Sequence, residues 1–185
     1  MKRVAVFGGS FNPPHVAHVL GAAFVLSTGE VDEVLVVPCF RHPFAKELAS
    51  FEDRLAMCRL AFAPLAAVSI SDVERDLGGE SLTVRTLEHL AAQHPDWRLR
   101  LVVGADVIAE MDRWTRPERV RALAPPLILG RVGAPALEGV PNVLPEVSST
   151  ALREALARGE AGAPLLPASV SEYARARGLY ATALR

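Results

Sequence analysis

Apolar residues form short uninterrupted runs at 4–7, 34–37 and 127–129. Two further runs, 68–70 and 99–103, each contain a single polar residue. Short apolar runs bounded by turn residues are typical of strands that are buried on both faces of a parallel sheet. We therefore predict buried strands at these five positions.

Segments with apolar residues at helical spacing separate the strands. The clearest is 83–93, where apolar residues recur every three or four positions. Ser50 with Asp53, and Ser169 with Glu172, have the spacing of capping boxes, which satisfy the free N–H groups at the start of a helix. The predicted helices are 15–26, 51–62, 83–93, 149–158 and 169–177.

Strands and helices alternate through most of the chain. This order predicts an α/β fold, a doubly wound (Rossmann-like) parallel sheet with helices on both faces. Ligands of such sheets bind at the carboxyl ends of the strands. We expect a single domain over residues 1–185, because the Gly-, Ala- and Pro-rich stretch 130–141 precedes a segment too short to fold alone and is better explained as an exposed loop.

Composition narrows the class of partner. Lysine and arginine number 20 against 21 aspartate and glutamate, so no overall field draws the chain to nucleic acid or to an anionic membrane. No apolar stretch is long enough to span a bilayer or to act as a signal peptide. The two cysteines, Cys39 and Cys58, make no disulfide framework. We expect a soluble cytoplasmic protein with small-molecule substrates, while its oligomeric state stays open.

The first predicted strand leads into the segment GGSFNPPHVAH at 8–18. Gly8 and Gly9 let a backbone approach a phosphate closely, and the following turn aims N–H groups at the positive end of a helix. His15 and His18 are three residues apart, so they share one face of the first helical turn. The motif predicts a polyphosphate site. The alternatives are a plain tight turn with surface histidines, or a zinc site that includes Cys39 but lacks a second close ligand pair.

A second motif, VSSTALR at 147–153, places a cluster of hydroxyl groups at a helix start. Ser148, Ser149 and Thr150 can cap that helix or bind an anion, and Arg153 follows about one turn later. Taken alone, capping is the simpler explanation. Together with the histidine motif, the cluster predicts a second set of phosphate contacts.

The two motifs resemble those of the HxxH nucleotidyltransferase superfamily, (T/S)-F-x-P-x-H-x-x-H and (I/V)-S-(S/A)-T-x-(I/L)-R. Weaker matches at 74–87, 103–114 and 166–180 make the chain most similar to the bacterial nicotinate-nucleotide adenylyltransferase family. Two departures stand near the expected substrate. The loop 41–46 holds one proline, a displaced histidine and a late lysine where the family has P-P-H-K, and the segment 131–147 is short.

The resemblance implies transfer of the adenylyl group of ATP to nicotinate mononucleotide, which yields deamido-NAD and pyrophosphate. Other acceptors are left open, namely nicotinamide mononucleotide, pantetheine phosphate or another phosphorylated compound. A silent nucleotide-binding module is the remaining alternative, and the presence of both histidines, Asp106 and Arg153 argues against it. Mg²⁺ is expected to accompany the triphosphate, held by phosphate oxygens and water, with no metal ligand set on the protein.

The resemblance also implies a role for individual residues. His15 and His18 are the expected catalytic residues, with His18 the stronger candidate. The expected ATP-binding residues are Gly8, Gly9, Ser10, Phe11, His15, His18, Gly104, Asp106, Ser148, Ser149, Thr150 and Arg153. The expected acceptor-binding residues are Ser10, Asn12, Lys46, Thr83, Trp114 and Arg131.

Overall fold

Six strands build the centre of the molecule. A computed structural model of the protein describes residues 1–41, 48–133, 137–160 and 164–181. The strands are β1 (Lys2–Gly9), β2 (Glu33–Pro38), β3 (Val68–Ile70), β4 (Trp97–Gly104), β5 (Pro126–Arg131) and β6 (Asn142–Leu144). They lie in the order β3-β2-β1-β4-β5-β6, and every neighbouring pair is parallel.

Helices connect these strands and cover the sheet. They are α1 (Val16–Ser27), α2 (Phe51–Phe62), α3 (Val73–Leu77), α4 (Thr83–Gln93), α5 (Ala105–Ile108), α6 (Pro117–Leu123), α7 (Ser149–Ala157) and α8 (Ala168–Ala176), with a 3₁₀ turn at Met111–Arg113. In the part of the chain that the structure describes, no helix combines the length and the apolar character needed to cross a bilayer.

The strand order confirms the predicted doubly wound fold. The chain moves outward from β1 through β2 to β3, and outward in the opposite direction from β4 through β5 to β6. The connections after β1 and β4 therefore diverge, which opens a crevice at the carboxyl ends of these two neighbours. This crevice is where a ligand of such a fold is expected.

Two apolar cores lie on opposite faces of the sheet. Residues alternate between the faces, so Val4 and Val6 point to one core while Ala5 points to the other. One core contains side chains from α1, α2, α7 and α8, and the second contains side chains from α3, α4 and α6. Burial on both faces explains why consecutive positions are apolar in the central parts of the strands, as at 4–7 and 34–37.

The strand β1 is longer than its apolar run predicts. Gly8 pairs with Val37 and Gly9 with Pro38, so both glycines belong to the strand and not to the turn after it. The chain reverses at Phe11, whose φ of 45° lies in the left-handed region. The two glycines thus end the strand, and the turn that the motif predicts follows them, because the backbone ladder continues past the apolar run.

The starts of two helices test the capping predictions. Ser50 caps α2, since its Oγ accepts a hydrogen bond from the Asp53 backbone N–H at 3.0 Å. The predicted capping box at Ser169 was wrong, because α8 begins one residue earlier and Pro167 is its N-cap. Ser169 instead donates a hydrogen bond to the Leu60 carbonyl at 3.5 Å.

Several short elements were not predicted. The helices α3, α5 and α6 contain five, four and seven residues, and β6 contains three. Segments this short carry too few apolar positions to show a period. The exposed loop expected at 130–141 begins later than predicted, because β5 continues to Arg131. Residues 134–136 lie outside the described ranges.

Candidate active site

The predicted site residues gather at the carboxyl edge of the sheet. The loop from Ser10 to His15 follows β1, and Gly104 and Asp106 stand at the end of β4, its neighbour in the sheet. Arg131 ends the next strand, β5. The fold thus brings together residues that are more than 100 positions apart along the chain.

The two histidines form a stacked pair at the start of α1. Their ring centroids are 3.7 Å apart and their planes are 21° from parallel. His15 is the N-cap of the helix, and its backbone N–H donates to Nδ1 of His18 at 3.1 Å. Since Nδ1 accepts, the ring proton of neutral His18 is on Nε2, which is a hydrogen-bond donor. The ring of Phe11 packs edge-on against His18 at a centroid distance of 4.9 Å.

Both histidines are neutral near physiological pH. Burial, and then the positive charge of Arg131, lowers the pKa of His15 from 6.5 to about 4. Burial, followed by the neighbouring His15 and Arg131, holds the pKa of His18 well below its ordinary value. The pair therefore presents N–H donors without two fixed charges in contact.

Asp106 and Arg131 face each other across the ends of β4 and β5. An Nη2 of Arg131 lies 2.9 Å from Oδ2 of Asp106, and both side chains are partly exposed. The N-cap of α5 is Gly104 and not Asp106, so the Asp106 carboxylate does not cap this helix. A Cβ at Gly104 would lie 2.5 Å from Oδ1 of Asp106. Glycine at this position therefore leaves the room that the carboxylate occupies.

The second motif contacts the first directly. Arg153 donates from Nη1 to the Asn12 carbonyl at 2.9 Å and from Nη2 to Oγ1 of Thr150 at 3.0 Å. Ser148 caps α7 by accepting a hydrogen bond from Ala151 at 3.3 Å. Ser148 thus serves as the helix cap, and Arg153 joins α7 to the histidine loop.

Asn12 is held in place by the protein itself. Its side chain is 3% exposed, and Oδ1 accepts hydrogen bonds from the Ala49 N–H at 3.0 Å and the Tyr180 hydroxyl at 2.9 Å. Nearby, the Val16 N–H at the start of α1 donates to the Leu165 carbonyl at 2.9 Å. The carboxyl-terminal segment therefore fixes the histidine loop from behind. Sequence patterns give no signal for such partners, because they are over 100 residues apart.

The start of α4 lies beside the end of β2. Ser81 donates from its backbone N–H to the Arg41 carbonyl at 3.0 Å, and its Oγ accepts from the Phe40 N–H at 2.8 Å. Thr83 is the first residue of α4 and is partly exposed. Trp114 is half-buried against the second core. Lys46 and the displaced histidine of its loop lie outside the described residues.

One residue of the site was missed by the motif search. Arg54 on α2 is 1% exposed and donates to the carbonyls of Ser10 and Cys39. Its position three residues after Phe51 and one before Leu55 places it on the buried side of the helix. An arginine on that side was the signal available in the sequence, because a buried guanidinium requires hydrogen-bond partners.

The zinc alternative receives no support from the geometry. Within the ranges that the structure describes, no group of three or more His, Cys, Asp or Glu side chains could hold a metal ion. The Sγ of Cys39 lies 3.8 Å from Nη1 of Arg54, and burial raises the pKa of this thiol. A buried neutral thiol is a poor metal ligand.

Comparison with known proteins identifies the family. A family model described as cytidylyltransferase-like matches residues 6–155. This match defines the class of protein as cytidylyltransferase-like. The chain is 51% identical over 182 residues to an Anaeromyxobacter sp. (strain K) protein named "Probable nicotinate-nucleotide adenylyltransferase", covering 97% of each. A Myxococcus xanthus protein of the same name is 42% identical over 179 residues, covering 96% of this chain and 94% of that one. The chain therefore belongs to the nicotinate-nucleotide adenylyltransferase family, as its motifs predicted.

A solved structure supports the fold. The nicotinic acid mononucleotide adenylyltransferase of Plasmodium falciparum, complexed with NaAD, superposes with a TM-score of 0.82 over 100% of both chains. At 19% sequence identity, this similarity concerns the arrangement of the backbone.

The unfolding free energy should fall between about pH 7.5 and pH 5. Because the pKa of folded His15 is about 4 against 6.5 for the ordinary side chain, the unfolded chain binds more protons in this window and protonation favours unfolding. His15 alone contributes about 2 kcal/mol of this loss. Urea denaturation of the protein and of His15→Gln at both pH values measures it. An equal loss in the variant would contradict the assigned pKa.

Proposed function

We propose that the protein transfers the adenylyl group of ATP to nicotinate mononucleotide, giving deamido-NAD and pyrophosphate. The observation that carries this proposal is the neutral, stacked pair of His15 and His18 at the crevice between β1 and β4. The names of the relatives support the same acceptor.

The reaction requires no covalent enzyme intermediate. An oxygen of the acceptor phosphate forms a bond to the α-phosphorus of ATP, and the bond from that phosphorus to the bridging oxygen breaks. The electron pair leaves with pyrophosphate, so negative charge moves toward the leaving group. The protein accelerates such a step by positioning both phosphates and by stabilising the charge that develops.

The histidines are suited to follow that charge. Nε2 of His18 is the donor assigned by the hydrogen bond that Nδ1 accepts from His15. Preorganised donors of this kind act strongly where water is excluded. Negative phosphate beside the rings would also raise their pKa values. A ring that then binds a proton becomes positive and offsets part of the phosphate charge.

The remaining residues surround the ATP and the acceptor. Asp106 accepts from the ATP ribose hydroxyls, and Arg131, its present partner, is then available to an acceptor phosphate. Arg153 with the hydroxyl cluster of α7 contacts the triphosphate from the opposite side. Trp114 stacks on the pyridine ring, and N–H groups near Thr83 receive its carboxylate. Lys46 is the expected phosphate contact from the loop 41–46.

Mg²⁺ accompanies the triphosphate in this proposal. Asp106 is the acidic residue assigned to ATP, and its carboxylate is paired with Arg131. Phosphate oxygens and water are the ligands that Mg²⁺ retains in such sites. The ion neutralises phosphate charge, while the residues named above position the nucleotide.

A pyrophosphate-release assay with ATP and a panel of acceptors tests the proposal. Nicotinate mononucleotide, nicotinamide mononucleotide and pantetheine phosphate separate the acceptor classes. Release with the first at the highest kcat/KM is the expected outcome. ATP binding without release from any acceptor would instead indicate a silent nucleotide-binding module.

His18→Ala should keep the fold and lower turnover about a hundredfold or more, because it removes a preorganised donor to the transition state. Turnover with saturating substrates and the circular dichroism spectrum provide the two measurements. His89→Ala, on the partly exposed side of α4, is the matched control and should match the unmodified enzyme. Unchanged turnover in His18→Ala would refute its catalytic role.

Gly104→Ala should raise the KM for ATP about tenfold, because the added Cβ displaces the Asp106 carboxylate and loses a charge-assisted hydrogen bond. The backbone at Gly104 has a φ of −72°, which alanine adopts readily, so stability should stay within about 1 kcal/mol. A double-mutant cycle with Asp106→Ala provides the control. Independent, additive effects of the two changes would show that Gly104 acts on something other than Asp106.

The acid should be preferred over the amide by about ten- to a hundredfold in kcat/KM. A carboxylate accepts from backbone N–H groups near Thr83, while an amide turns its own NH₂ toward the same donors, a mismatch of about 1–3 kcal/mol. Trp114→Ala should reduce the use of both acceptors, since stacking does not distinguish them. Equal kcat/KM values would remove the nicotinate preference and leave adenylyl transfer in place.

A further inference from the structure

Arg54 joins the parts of the backbone that surround the histidine loop. Its side chain is 1% exposed, and Nε donates to the Ala49 carbonyl at 3.0 Å. Nη1 donates to the carbonyls of Ser10 at 3.0 Å and Cys39 at 2.8 Å. One guanidinium therefore links the loop after β1, the end of β2 and the start of α2.

These bonds, together with one backbone hydrogen bond between Cys39 and Gly9, determine which way the neighbouring N–H groups point. In a planar trans peptide, the C=O and the N–H lie on opposite sides of the chain. The Gly9 carbonyl accepts from the Cys39 N–H at 2.9 Å on the β2 side, so the Ser10 N–H points toward the β4 side, where the crevice opens. The Ser10 carbonyl points at Arg54, so the Phe11 N–H points away from it.

In the peptide that joins Cys39 to Phe40, the C=O and the N–H also lie on opposite sides of the chain. Its carbonyl accepts from Arg54, and its N–H, that of Phe40, donates to Oε2 of Glu74 at 3.0 Å and to Oγ of Ser81 at 2.8 Å. Arg54 thus orients one peptide in the loop after β1 and one beside the start of α4. The first of these peptides carries the N–H of Phe11, one of the expected ATP-binding residues.

The charge of Arg54 also affects the donors that it orients. A guanidinium keeps its positive charge at any physiological pH. Its bond to the Ser10 carbonyl polarises that peptide, which makes the Phe11 N–H a stronger donor. Because Arg54 is buried, this effect is screened weakly by water.

We infer that Arg54 is a positioning residue for the phosphates of ATP, acting through the peptide that joins Ser10 to Phe11 without touching the substrate. The inference rests on the proposed function for the location of the phosphates. A merely structural cross-link would affect every part of the nucleotide alike. A positioning role affects the phosphates and leaves the nucleoside unaffected.

Calorimetric titration of the full chain with Mg·ATP and, separately, with adenosine distinguishes the two roles. In Arg54→Met the dissociation constant for Mg·ATP should rise about ten- to a hundredfold, the range expected when a charged hydrogen bond is lost. The constant for adenosine should change less than about twofold. Arg54→Lys keeps the charge without the fork and should give an intermediate rise for Mg·ATP.

Arg59→Met is the matched control, since Arg59 is exposed on the same helix and should leave both constants unchanged. The inference would be overturned if binding of Mg·ATP and of adenosine weakened equally, or if neither weakened. Failure of both Arg54 variants to fold would also overturn it. Failure of the proposed function looks different. The unmodified protein would then release no pyrophosphate with any acceptor, while the comparison of Mg·ATP with adenosine would still report on Arg54.

Discussion

The hydrogen bond from the His15 backbone to Nδ1 of His18 determines the chemistry of the site. It forms only if α1 begins at Val16, so that His15 stands outside the helix with a free N–H. The bond selects the tautomer of His18 and turns Nε2 outward as a donor. Burial then keeps both rings neutral, so the rings can stack without repulsion between like charges.

Everything around the pair maintains that helix start. The doubly wound sheet places the end of β1 next to the end of β4, and the left-handed residue Phe11 turns the chain back toward the site. Arg153, Tyr180 and Ala49 hold Asn12 from three separate segments. The local sequence alone does not hold the loop, which depends on contacts supplied by the completed fold.

Periodicity and motif spacing predicted the fold class, the central strands and the helix starts that rely on neighbouring residues, as at Ser50. They placed the histidines near the carboxyl ends of the strands for the same reason. Features that depend on distant partners were not accessible in this way. The pairing of Asp106 with Arg131 and the carbonyl contacts of Arg54 exist because strands from different parts of the chain become neighbours. The length of β1 has a related cause, since its backbone ladder continues past the last apolar side chain.

The contacts of Leu165 and Tyr180 with the histidine loop bear on the order in which the protein is made. The partners of Val16 and Asn12, which are Leu165 and Tyr180, lie far downstream along the chain and are synthesised later than the loop. A nascent chain can pair β1 with β2 early, yet its histidine loop lacks these anchors until Leu165 and Tyr180 have been synthesised. Ordering of the site is therefore coupled to synthesis of the segment that contains Leu165 and Tyr180, and translation products that stop before this segment lack these contacts.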